Sequence, residues 1–155
     1  YVRPQVRLGN QYIADFIVGD VDSSGPRWIL VELETPSSTV SLRTKDQFDR
    51  HARDGIAQVD QWRHWLRENL SYARKRSTDE GCALPGIQPD ADGLVIVGRR
   101  SLQNDNAAKL KVQQYERNRI RVHTYDWLVQ QLEASLGNID SPVFNKHIIP
   151  RPENA

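Results

Sequence analysis

The chain lacks methionine altogether, holds a single cysteine and carries almost no net charge, +1 over 155 residues. Each shortage excludes something. Cys82 has no second cysteine to pair with, so an intramolecular disulfide is impossible, which fits a reducing, cytoplasmic setting. No apolar run approaches the ~20 residues that span a bilayer. The first ten residues contain Arg3 and Arg7 and no apolar stretch of signal-peptide length. A chain that opens on Tyr1 with no initiator is expected to be a piece of a longer protein. Near-neutral charge does not by itself call for a nucleic acid.

What is present is enough for one domain. Hydrophobic residues make up 38% of the chain, and at this length a core forms without staples. Residues 1–155 are read as a single domain with a core over about 9–136 and an irregular tail over 137–155. "YIADFIV" (12–18) reads as a strand, "GDVDSSGP" (19–26) as a turn cluster and residues 27–34 as the returning strand of a hairpin. A long helix is expected over about 45–75, opened by Thr44-Lys45-Asp46-Gln47 as a capping box. Its apolar stripe is Phe48, Ala52, Ile56, Val59, Trp62, Leu66, Leu70 and Ala73. Gly55 lies in that stripe at a cost of about 1 kcal/mol, which points to close packing on a sheet or to a break.

"DGLVIVG" (92–98) is a continuous apolar run of strand length, expected to be buried on both faces. A helix over 103–117, a strand over 119–124 and a helix from Thr124 to about Leu136 complete the chain. The order is β-β-α-β-α-β-α, an α/β fold with a mixed central sheet flanked by helices. The unit from Gly93 to Thr124 is expected to be a right-handed crossover. Between Arg99 and Arg121 stand Arg99, Arg100, Lys109, Lys111, Arg117, Arg119 and Arg121 against Asp105 and Glu116. That segment reads either as a phosphate-contacting stretch or as a solvated helix face.

The chemistry concentrates in "RWILVELETPSS" (27–38). Side chains alternate along a strand, so Trp28, Leu30, Glu32 and Glu34 share one face. In the preceding strand Ile13, Asp15 and Ile17 share a face. A suitable hairpin register brings Asp15 beside Glu32. Three carboxylates at one sheet edge repel unless something neutralises them. A divalent cation does so, and oxygen ligands favour Mg²⁺, Mn²⁺ or Ca²⁺. The plainer reading of each acid is a solvated strand end or a partner for an arginine.

The series "ADFIV…WILVELETP…AQVDQW…GLVIVGRR…RVHTYDWLV" resembles the DUF4263 domain of Shedu antiphage proteins, in the PD-(D/E)XK nuclease superfamily. The resemblance covers about residues 9–132. It implies a restriction-endonuclease-like sheet, a metal-dependent DNA endonuclease acting in antiphage defence, and a homo-oligomer, by the same resemblance a tetramer. By the same resemblance Asp15, preceded by Ala14 where proline is usual, and Glu32 bind Mg²⁺ (Mn²⁺ as a substitute) with the Leu33 carbonyl. Gln58 and Trp62 resemble the Q-x-x-x-Y element beside the active site. Glu34 stands where the superfamily usually has lysine. A carboxylate there acts as a base or serves a second metal, but it cannot offset phosphate charge.

Catalytic candidates are therefore Asp15, Glu32, Glu34 and Gln58, and the metal ligands are Asp15, Glu32 and Leu33. Gln58 has a second reading as a boundary residue. Trp62 reads as core, and His64 and Trp65 as exposed or boundary positions. His51, His123 and His147 read as structural, Cys82 as a bystander, and Tyr125 and Asp126 as helix caps. The competing function is a nuclease-fold scaffold that binds DNA or oligomerises without cutting. A third reading is a plain protein-interaction domain.

Overall fold

The structure is a computed structural model that describes residues 1–23, 25–42, 46–76 and 81–137. Five strands form one sheet in the order β1 (Val2–Leu8), β2 (Tyr12–Asp22), β3 (Gly25–Leu33), β4 (Asp92–Ile96), β5 (Ile120–His123). β1, β2 and β3 are antiparallel neighbours, whereas β3, β4 and β5 run parallel. The helices are α1 (Arg50–Glu68), α2 (Leu70–Arg74), α3 (Asn106–Asn118) and α4 (Tyr125–Gly137), so the fold is mixed α/β.

Strand β1 is absent from the order read off the sequence, which becomes β-β-β-α-α-β-α-β-α. In "VRPQVRL" only Val6 and Leu8 are buried. An edge strand with one wet face and a proline carries too weak an apolar alternation to be read. The hairpin also extends through the residues expected to turn: Gly19, Asp20 and Val21 pair with Trp28, Arg27 and Pro26. Gly19 serves packing here. A Cβ on it would stand 2.6 Å from the Trp28 ring, so glycine makes room for the indole.

The long helix starts later than expected and is divided. Asp49 is the cap of α1, its carboxylate accepting from the His51 N–H, while Thr44 and Lys45 lie outside the described residues. Phe48 precedes the helix and bridges to Ser41. The break falls at Asn69 rather than at Gly55, and Asn69 returns its side-chain amide to the Trp65 carbonyl. Trp65, expected near the surface, is buried. It sits edge-on to Tyr72 and against Gly9, which lies in the β1–β2 turn.

Helix α1 lies over β3, β4 and β5, and two glycines let it approach. A Cβ on Gly55 would stand 2.8 Å from Val95, and one on Gly93 would stand 2.7 Å from Val59. The core between them holds Ile17, Leu30, Val59, Trp62, Leu66, Val95, Ile120 and Val122. Each such side chain stabilises the fold by about 1.5–3 kcal/mol on burial. Leu94 is only half-buried, so β4 is not fully covered on both faces. The expected tail, from Asn138 on and including His147, lies outside the described residues.

Candidate active site

The antiparallel β2–β3 ladder ends at Phe16↔Val31, and its register carried one step further sets Asp15 opposite Glu32. Beyond that point the side chain of Asp15 replaces β2 backbone as a partner of β3. Its Oδ2 accepts from the Leu33 N–H at 2.9 Å, and Gln5 of β1 approaches its Oδ1 at 3.4 Å. A strand residue's N–H and C=O face the same neighbour, so the Leu33 carbonyl is directed to the Asp15 side as well. All this occurs at the carboxyl end of the parallel strands, where open α/β sheets gather their ligand sites.

Glu32 is only 7% exposed, and its Oε2 has no hydrogen-bond partner among the described residues. Burial pushes its carboxyl up to about 8, and the nearby Asp15 and Glu34 carboxyls push the same way. An acid so placed either keeps its proton at neutral pH or requires a cation.

Glu34 follows β3 and packs, with Glu32, against Gly55 of α1; a Cβ there would stand 3.1 Å from Glu34 Cγ and 3.6 Å from Glu32 Cγ. Its backbone is held twice. The Glu34 N–H donates to the Ile96 carbonyl at 2.8 Å, and its own carbonyl accepts from the Tyr125 hydroxyl at 2.7 Å. The Glu34 carboxylate lies 3.4 Å from Nδ1 of His51, one helical turn before Gly55.

Two residues read as structural or capping therefore stand at the acids. His51 faces Glu34 from the first turn of α1, and Tyr125 reaches it from the start of α4. Burial, then Asp15, Glu34 and Glu32, raises the Tyr125 phenol above its ordinary value. His51 and Tyr125 are 17 and 91 positions from Glu34, and no local pattern links such separations. The other expected cap, Asp126, accepts from the Arg100 N–H at 2.8 Å. Thr124 does precede α4, its carbonyl taking the Trp127 and Leu128 N–H groups.

Gln58 is half-buried on α1 one turn beyond Gly55, and its side chain makes no hydrogen bond among the described residues. Trp62 is core, 1% exposed. His123 stacks on Trp127 at 3.9 Å, and burial with Lys111 and Arg121 nearby depresses it to about 4. Cys82 is buried, its thiol on the Arg7 carbonyl. The basic segment is dispersed: Lys109 pairs with Asp46, Arg119 with Asp90 and Asp92, and Arg121 lies over the Tyr115 ring.

Among the described residues no group of three or more His, Cys, Asp or Glu side chains is arranged to hold a metal ion. Asp15 and Glu32 are near enough for the Asp15 carboxyl to raise that of Glu32, and Asp15 is bonded to the Leu33 backbone. Their chemistry suits a hard divalent cation, and the orphaned Glu32 Oε2 is the atom such an ion would satisfy. Among the described residues no helix is long and apolar enough to cross a membrane.

A family model described as Shedu protein SduA, C-terminal, matches residues 2–129. No curated protein matches the chain.

Proposed function

The chain belongs to the family of Shedu protein SduA C-terminal domains, and from that premise we propose that it is a metal-dependent endodeoxyribonuclease of antiphage defence with a restriction-endonuclease-like sheet. The observation that carries this reading is Glu32. A buried carboxyl with an oxygen unpaired among the described residues, flanked by two more acids, costs several kcal/mol to ionise unless a cation neutralises it. A divalent cation there would serve metal-assisted phosphodiester hydrolysis. Asp15, Glu32 and the Leu33 carbonyl would hold Mg²⁺ or Mn²⁺. An ion held there would supply Lewis acidity to a phosphate oxygen and would lower the pKa of a bound water, giving hydroxide as the nucleophile.

The rest is work for the chain itself. The Leu33 N–H fixes the rotamer of Asp15. Gly55 lets α1 close over Glu32 and Glu34, which keeps bulk water from the inner acid. Glu34, anchored by Tyr125 and Ile96, serves the attacking water. Gln58, without a partner among the described residues, is free to meet a phosphate oxygen. DNA is the substrate in this reading, and assembly into a homo-oligomer in the cytoplasm is part of it.

Supercoiled plasmid incubated with the chain and Mg²⁺, Mn²⁺ or EDTA tests the proposal. Metal-dependent nicking that disappears in Glu32→Gln supports it. Salt-sensitive DNA binding without product would favour the scaffold, a reading motivated by the glutamate in the lysine position.

A further inference from the structure

Resting on the hydrolytic reading above, we propose that His51 fills the role left by the missing lysine: backed by Glu34, its Nε2 receives the proton of the attacking water. Placement comes first. Residues 51, 55, 59 and 62 lie on one face of α1. Gly55 is pressed against Glu32 and Glu34, so His51, one turn nearer the helix start, stands at the mouth of the acid pair. Its side chain is 45% exposed and borders an open groove lined also by Thr35, Ser37, Ser38, Asp49 and Arg50. A strand of substrate has room to approach the ring from that side.

The pairing comes second. His51 Nδ1 lies 3.4 Å from Glu34 Oε2. This is longer than a closed hydrogen bond, and catalytic contacts commonly tighten only when substrate is present. Glu34 has its backbone pinned by Tyr125 and Ile96 and its stem against Gly55, so only its carboxylate end is left to adjust. A carboxylate on Nδ1–H leaves the Nε2 lone pair as acceptor, the arrangement of a carboxylate–imidazole pair in hydrolases. Glu34 is the positioning residue and His51 the base. Imidazole suits proton abstraction near neutral pH better than a carboxylate does.

The step balances with water alone. One proton passes from water to Nε2 while the water oxygen forms the new P–O bond. The P–O bond to the leaving strand breaks, its electron pair stays on the departing oxygen, and that oxygen takes a proton from solvent. His51 then returns its proton to solvent.

The test compares wild type, His51→Ala and Glu34→Ala. Single-turnover plasmid nicking is measured with and without added imidazole, Mn²⁺ binding by electron paramagnetic resonance, and the tautomer of His51 by ¹⁵N NMR on metal-free chain. In His51→Ala we expect nicking to fall about a hundredfold or more, Mn²⁺ binding to be kept and imidazole to restore part of the rate. Neutral His51 carries its proton on Nδ1 in wild type and reverts to the mixture of free imidazole in Glu34→Ala. His51→Ala that nicks within twofold of wild type overturns the role, as does a loss that imidazole leaves unrepaired, or an Nε2–H tautomer in wild type. Those results touch His51 alone. A wild type inert with every metal removes the hydrolytic reading and this role with it.

Discussion

Arg63 and Glu32 are the charged side chains buried among the described residues, 4% and 7% exposed, and they are treated in opposite ways. Arg63 is spent on the fold. Its guanidinium donates to the carbonyls of Ala91 at 2.8 Å and Asn118 at 2.7 Å, approaches that of Arg119 at 3.4 Å, and lies 3.4 Å from Asp60. It ties α1 to the entry of β4 and to the end of α3. Glu32, at the other end of the parallel strands, has two acids for neighbours and a bare oxygen. A satisfied buried charge stabilises architecture, whereas an unsatisfied one lowers stability and is kept where chemistry uses it.

The largest expected effect breaks the Glu32 side of that contrast. Glu32→Gln or Asp15→Ala should cut metal-dependent nicking by about a thousandfold, roughly 4 kcal/mol of transition-state stabilisation. Plasmid relaxation at a tenth of the wild-type rate in either variant would remove these acids from the mechanism.

Next, Arg63→Ala should cost about 3 kcal/mol of stability, because it strands several buried carbonyls at once. Urea unfolding measures the loss, and nicking per folded molecule should stay near wild type. A loss below about 0.5 kcal/mol means the backbone groups find water instead.

Glu32 then predicts a pH dependence of opposite sign to an ordinary paired acid. Its folded value is about 8 and its reference value 4.5. Between these limits the folded chain binds the extra proton, so stability falls as pH rises, by up to about 1.4 kcal/mol per pH unit. Below 4.5 and above 8 the contribution is flat. Urea midpoints at pH 6 and pH 7 without divalent cation should show the decline, and Glu32→Gln should flatten it. A slope common to both proteins assigns the effect elsewhere.

The smallest effect sharpens the contact between helix and acids. Gly55→Ala gains about 1 kcal/mol of helix propensity but overpacks against Val95 and Glu34, at about 1–3 kcal/mol. The net loss should be near 1 kcal/mol by thermal unfolding. Nicking should fall further than that loss explains, since Glu32 and Glu34 must shift. A stabilised and fully active Gly55→Ala chain would show that the helix has slack there.

Much of this was legible before any coordinates. The alternation through Trp28, Leu30, Glu32 and Glu34 announced a strand with an acidic mouth, and Gly55 in an apolar stripe announced a close helix–sheet contact. Other features were hidden for definite reasons. β1 spreads Arg3, Pro4, Gln5 and Arg7 along a wet edge. Gly19 resembles a turn residue because a glycine in a turn and a glycine under an indole are written alike. Trp65 looked peripheral because its partners, Gly9 and Tyr72, come from the β1–β2 turn and another helix.

Residue order alone determined strands β2 to β5, the presence of the main helices and the acid-bearing strand ends, since period and side-chain alternation are local properties of a chain. It also carried the family, through an ordered series of short motifs. Tertiary structure alone decided that Asp15 would grip the Leu33 backbone, that Glu32 would be left with a bare oxygen, and that His51 and Tyr125 would meet Glu34. Such contacts depend on how far a helix sinks onto a sheet and where a ladder ends. Those quantities are set by packing between segments distant in the chain, and no stretch of sequence contains them.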